Sequence, residues 1–506
     1  MKRISLVLLL CMGFQIAIAA SEETSLQVQI DKAVSLIKSG NSLEASKRLL
    51  ELLNRNQLPS AVRPHLKYLF GLSLMEQNLN QVSAFQFVDV VRSADPNWTK
   101  PAIEKLLIVT DKLGDETLLN FALQRVEINQ IPTASRELLY YRLAEVKHKF
   151  GSREEAIRLY KKVTSKSRFF YNALYNMGLA QAELEQTDEA LKSFKKLLAS
   201  RLTAKANDTN KVNAIMGIAR TYYQKKEWAK AIDAYSKVPR DHSLWHSALF
   251  EKTWAMLRST RFRSTLSNFQ SMHSSYYDDS YAPETLLLRS IVYLYICQYE
   301  EMEKVLSLFE RQYGPSLAKV NNFLQKNDAN EYFVQLYNAI QIKAGDKKKQ
   351  LSIPFNIMKY ISSEGDVRRS YAYLKKLTAE KNLIDGNDNI KSANIGSYAA
   401  RILSNRIAGT KMSIGKLVKK HLGDIKTELG DLTEQAGFVR YEMLNGRKEF
   451  LRRKMDGKNL KVELAKDETQ DREFYIKNGY EYYPFQGEYW LDEIGNYHYL
   501  GKQSCE

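Results

Sequence analysis

The sequence predicts an all-α chain, an α-solenoid of about eight stacked helix pairs. Three observations carry that expectation. Small residues followed by an aromatic recur with a period of 34 through the middle of the chain. Prolines are few, 10 in 506 residues, while helix-forming residues abound. The length also exceeds what one compact core usually serves, whereas a solenoid grows by adding units.

Residues 1–20 read as a signal peptide. Lys2 and Arg3 precede an apolar run from Ile4 to Ile18, and Ala17 to Ala20 supplies small residues for cleavage, so the mature chain would start near Ala20 or Ser21. Leu9 and Leu10 before Cys11 fit a lipoprotein site poorly, and the run is short for a membrane anchor. A periplasmic location is therefore expected. The chain has 75 Lys and Arg against 58 Asp and Glu, a net charge of +17, and loses only two of those basic residues with the signal peptide. The surplus suits anionic partners such as phospholipid head groups, acidic proteins or cell-wall polymers, while export argues against nucleic acid. The charges are interspersed, as on solvated helix faces.

The period is clearest from Glu137 onward. Ala144, Ala156 and Tyr160 are followed by Gly178, Ala190 and Phe194, then by Ala219, Ala231 and Tyr235 after an insertion around Lys205 to Asn210. Thr253, Thr265 and Phe269 make a weaker fourth unit. Two antiparallel helices approach closely only where small side chains meet, and an aromatic one turn later fills the gap to the next pair. Gly151 between the first two helices supplies a tight turn.

Degenerate copies extend the array. Ala33, Gly40 and Ala45 form one, and Gly71, Ser83 and Phe87 another. Pro101 to Pro132 holds a pair turning at Gly114, and Tyr293, Val305 and Phe309 form the last. The pattern over residues 21–315 resembles the tetratricopeptide repeat family. That resemblance implies a superhelix whose concave face, lined by the first helix of each pair, holds peptides or partner proteins. Carried over position by position, the face would display Tyr141, Glu145 and Lys149, then Asn172, Tyr175 and Glu183, with His148 beside them. It would continue through Asn213, Arg220, Tyr223 and Gln224 to Phe250, Trp254 and Arg258. Tyr, Trp and Arg are common interface anchors. The alternative for any one of them is a gap-filling role between repeats. The family's clamp for a C-terminal carboxylate is not evident.

Gly314-Pro315 reads as a break, and Gly345 to Gln350 as a basic loop. Residues 316–410 read as additional, capping helices, including Ile353 to Leu377 and Ile390 to Ile407. Residues 411–466 read as one long amphipathic helix. Its apolar stripe is Ile414, Val418, Leu422, Ile425, Leu429, Leu432, Ala436, Val439 and Met443. That stripe either packs along the chain's own repeats or forms a coiled-coil seam with a partner.

Residues 467–506 form an aromatic-rich tail punctuated by glycines, read as short strands with a turn at Ile494-Gly495-Asn496. Tyr489, Trp490 and Tyr497 are its candidate docking residues. The run from Gly487 to Tyr497 resembles the tail of envelope tetratricopeptide proteins of gliding deltaproteobacteria, some of which serve motility or trafficking. Cys297 lies at the end of an apolar run, where a buried, inert thiol is expected. A bridge to Cys505 is the alternative that export permits.

No catalytic pattern emerges. Of seven histidines, only His242 and His246 are close, without the glutamate of a metalloprotease motif or a third ligand. There is no phosphate loop, serine elbow or cysteine–histidine nucleophile motif. The expected function is a non-catalytic periplasmic scaffold that binds proteins through the repeat face and the tail, without metal or cofactor. A cell-wall-binding or wall-active solenoid protein is the alternative.

Overall fold

The computed structural model describes residues 26–56, 58–115, 117–123, 136–200, 208–325, 328–342, 351–456, 477, 479, 489–491 and 493–499. The signal segment, the loop Gly345 to Gln350 and most of the tail lie outside them. The chain divides into two compact units: Met1–Arg136 with Ser363–Leu417, and Glu137–Ser362 with Val418–Glu506.

The first unit opens with helix pairs: α1 (26–38) with α2 (Ser42–Leu53), α3 (Arg63–Glu76) with α4 (Asn80–Arg92), and α5 (Thr99–Leu113) with α6 (Thr117–Leu123). Its second segment supplies α19 (Gly365–Asp385), the short α20 (Asp388–Lys391) and the start of α21 (Asn394–Met455). Of the helices expected in 316–410, α19 packs against α4 and α5 within this unit. Glu380, on α19, is buried and accepts the backbone N–H of Gln81 at 2.9 Å at the start of α4. Tyr373 donates to the Gln81 side chain at 2.6 Å and accepts from Arg406, which also reaches Asp115.

The second unit continues the pairs: α7 (Arg136–Lys149) with α8 (Arg153–Tyr160), α9 (Phe170–Glu183) with α10 (Thr187–Leu198), and α11 (Thr209–Gln224) with α12 (Trp228–Ser236). Then come α13 (Trp245–Arg258) with α14 (Phe262–Met272), and α15 (Pro283–Tyr295) with α16 (Tyr299–Leu324). The architecture is an all-α helical-repeat solenoid, built from the eight pairs that the period predicts. α17 (Ala329–Gln341) and α18 (Phe355–Ser363) follow. Helix α10 shows why such segments form: Asp188 and Glu189 occupy its first turn, Lys195 and Lys196 its last, each opposing the end charge of the helix. Its apolar residues Ala190, Leu191, Phe194 and Leu197 are all buried. Asp208 caps α11 by accepting the Asn210 and Lys211 amides at 2.9 and 3.1 Å.

The small residues sit at helix crossings as their size requires. Ala144, Ala156, Ala190, Ala219, Ala231, Thr253 and Thr265 are fully buried. The Phe194 ring lies against two backbones at once: a Cβ added at Gly178 or at Gly217 would come within 2.7 Å of it. Besides Gly114 between α5 and α6, each pair turns through one left-handed residue, at Gly151, Glu185, Lys226, Thr260 and Cys297 in this unit and Gly40 and Asn78 in the first. The next amide bonds back to the carbonyl five residues earlier, as Gln186 does to Gln181 at 2.9 Å, which closes the helix end.

Three expectations need correction. The helix does not break at Gly314-Pro315: α16 runs through Pro315, because its buried stripe of Phe309, Tyr313, Ser316, Val320 and Phe323 continues across it. That packing offsets the roughly 3 kcal/mol a mid-helix proline costs. The long helix spans Asn394–Met455 rather than starting at 411, and α20 interrupts the stretch expected to be helical from Ile390. Its stripe is spent within the chain: Ile414 through Ala436, and Met443, are buried and Val439 is half-buried, so no coiled-coil seam is left on that face. Arg440 anchors the helix to Glu303 and Glu310 on α16 at 3.1 and 2.6 Å.

Candidate functional site: the first-helix face and the tail contact

The candidate face runs along the first helices α7, α9, α11 and α13. Its expected residues divide into two groups. Tyr141 belongs to the core, not to a groove: it is 5 % exposed, lies face to face with Phe169 at 5.2 Å and donates to Glu145 at 2.7 Å. Burial, then the Glu145 carboxylate, holds its hydroxyl well above the usual tyrosine range. Arg220 is tied within the fold by two hydrogen bonds to Glu251 of the next first helix, at 2.8 and 2.6 Å. Glu251 also accepts from Tyr235 at 3.0 Å, and the ion pair raises the already high pKa of the guanidinium. Gln224 donates to the carbonyl of Ala182 at 3.0 Å near the end of α9, so it joins adjacent repeats. His148 and Arg153 share Glu183 across two repeats, at 3.2 and 2.5 Å.

The second group presents surface. Asn172 and Arg258 are exposed, and Tyr175, Asn213, Tyr223, Phe250 and Trp254 are half-buried. Tyr223 meets Trp228 edge to face at 5.0 Å, Tyr175 rests against Phe194 at 5.8 Å, and Arg258 lies 5.9 Å over the Trp254 ring. Each aromatic is thus braced from behind, which lowers the entropy lost when a partner covers it.

The tail segment contributes a contact with the repeats that includes residues beyond the expected Tyr489, Trp490 and Tyr497. Trp490 is 64 % exposed, and Tyr489 and Tyr497 are half-buried. Tyr497 accepts the Trp490 amide at 2.8 Å and closes a loop. Gly495 and Tyr499 touch the repeats at Trp245, Ser271, Ser267 and Tyr293, and Ile494 beside them is buried. A turn does fall at residues 493–496, but the described residues on either side are not in strands. The serines carried no signal, because a single Ser on a helix reads as a neutral surface residue.

Cys297 is not an inert buried thiol. It is half-buried at the turn between α15 and α16, with φ 55°, and is disulfide-bonded. Its partner lies outside the described residues. The two close histidines serve local packing. His242 accepts the Leu244 amide at 3.1 Å, and His246 lies 4.5 Å from the Tyr277 ring, where burial pushes its pKa down to about 4. Among the described residues no three of His, Cys, Asp and Glu converge as a metal set, and no helix is long and apolar enough to cross a membrane.

No curated protein matches the chain. A tetratricopeptide repeat protein from Parabacteroides merdae is 14 % identical, over 56 % of this chain and 92 % of its own, with a TM-score of 0.26. A Rap protein solved with competence and sporulation factor is 10 % identical, over 77 % of this chain and 99 % of its own, with a TM-score of 0.28. Residues 172–200 and 213–243 match the tetratricopeptide repeat family. The matched residues fall on helix pairs α9–α10 and α11–α12 of this chain.

Proposed function

We propose that this chain is a non-catalytic scaffold that binds protein partners on its first-helix face, working in the periplasm as part of an envelope complex for motility, secretion or outer-membrane assembly. The observation that carries the binding role is the row of braced, half-exposed aromatics Tyr175, Tyr223 and Trp254 on three successive first helices, with Asn172 and Arg258 beside them. Aromatic and arginine side chains held in place lose little freedom on association. Export is supported by the charged and apolar start of the sequence and by the disulfide at Cys297, a bond that persists in oxidising compartments.

The test uses the full mature chain as bait in envelope extracts, beside a variant carrying Tyr223→Ala and Trp254→Ala. A defined protein set that withstands salt and is lost from the variant supports the scaffold. Retention on purified cell wall with release as salt rises would favour the polymer-binding alternative instead. Amino-terminal sequencing of the protein recovered from cells should begin near Ala20 or Ser21. A start at Met1 would remove the periplasmic part of the reading.

A further inference from the structure

The segment around residues 494–499 contacts the repeats in the manner of a bound peptide. The Gly495 amide donates to Ser271 Oγ at 2.8 Å, and the Tyr499 amide donates to Ser267 Oγ at 2.7 Å. The two serines stand one helical turn apart on α14, so their hydroxyls read the segment's backbone at two points four residues apart. Around the first of these points the contact is shape-selective. Ile494 is 3 % exposed, and Gly495 adopts φ +94° with its Cα pressed to the Trp245 ring, where a Cβ would sit 2.9 Å from Cζ2. The Tyr499 ring lies 6.3 Å from Tyr293. Backbone hydrogen bonds supply affinity here, and the isoleucine, the glycine and the tyrosine supply selectivity. The receiving serines stand on the second helix of a pair, whereas Tyr175, Tyr223 and Trp254 stand on first helices.

We propose that Trp245, Ser267, Ser271 and Tyr293 form a second peptide-binding site, that the chain's own Ile494–Tyr499 fills it in cis, and that a peptide of pattern Ile-Gly-x-x-x-Tyr from another chain occupies it once the cis segment is displaced. The occupant is a peptide that turns at a glycine placed against Trp245. The site is thereby self-blocked, and opening it exposes the Trp245 face.

The test is the binding of a fluorescently labelled synthetic peptide, Tyr489 to Tyr499, to the full chain by anisotropy, under a dithiol reductant so that no disulfide restrains the segment. Wild type should bind weakly, because its own segment competes. Gly495→Val displaces that segment through both the Trp245 clash and the left-handed backbone, so it should bind the peptide at least about tenfold more tightly. Adding Ser267→Ala and Ser271→Ala to that variant should reverse the gain, and a peptide carrying the same Gly495→Val change should not bind. Should Gly495→Val fail to fold by circular dichroism, Tyr499→Ala serves in its place, with a smaller gain in the same direction. No gain in a folded variant, or a gain indifferent to the two serines, overturns the proposal.

Discussion

Arg220 and Glu251, 31 residues apart on successive first helices, are joined by two hydrogen bonds of 2.8 and 2.6 Å, one from Nε and one from Nη2. A planar guanidinium matched to a carboxylate in this way fixes the angle between repeats as well as their distance. Arg220 therefore acts inside the fold, and its removal should register as stability before it registers as binding. Arg220→Ala is expected to cost about 1 kcal/mol, since the Arg220 side chain is 49 % exposed and partly screened. Arg220→Lys should restore little of it, because an ammonium cannot make the paired contact. Thermal unfolding read beside partner capture decides the matter: an unchanged midpoint with lost capture would return Arg220 to the binding face.

Phe194 makes a sharper prediction. Its ring occupies the space a side chain would need at Gly178 and at Gly217. Gly178→Ala should destabilise the repeat by about 1–3 kcal/mol, because the ring is enclosed on both sides and has little room to move. Shrinking the ring should relieve the clash, so Gly178→Ala combined with Phe194→Leu should cost less than the two single changes added together. Strict additivity in denaturant unfolding would show that the ring shifts freely.

These close contacts explain what could be read from the sequence. Gly178, Ala190 and Phe194 are legible because helix crossing and ring insertion repeat at one spacing, and each demands a residue type. The left-handed turns are half legible: Gly40 and Gly151 announce them, while Glu185, Lys226, Thr260 and Cys297 take the same conformation under the compulsion of helix packing. The Glu380 contact with Gln81 joins residues 299 apart, and no local pattern marks it. Tyr141 was misplaced because an aromatic on a first helix reads alike whether it faces a groove or the neighbouring Phe169.

Glu380 also carries a pH prediction for the first unit. Burial pushes its carboxyl up to about 7, against the opposing pull of the Gln81, Val82 and Asn80 amides at the start of α4. Between its ordinary value of 4.5 and about 7 the folded chain keeps a proton that the unfolded chain has released. Folding is therefore favoured below that window, and the contribution fades as pH rises through it, by roughly 3 kcal/mol. Protection of the α4 amides in hydrogen exchange should fall from pH 5 to pH 7.5 in wild type, after correction for intrinsic exchange rates, and should stay level in Glu380→Gln. A parallel decline in the variant would assign the pH dependence to other groups.

Cys297 occupies the turn position that Gly151, Glu185, Lys226 and Thr260 hold in earlier repeats, one helical turn beyond Tyr293. Tyr293 meets Tyr499, and Cys505 follows Tyr499 by six residues, within the reach of an extended chain. The only other cysteine is Cys11, in the segment expected to be cleaved. Peptide mapping without reduction should therefore recover one linked pair, Cys297 with Cys505. Replacing Cys505 with Ser should loosen the tail, seen as faster hydrogen exchange at the Gly495 and Tyr499 amides, while the α9–α12 repeats keep their protection. A free thiol at Cys297, or a link between two copies of the chain, would detach the disulfide from the tail contact and leave the two serine hydrogen bonds to hold it alone.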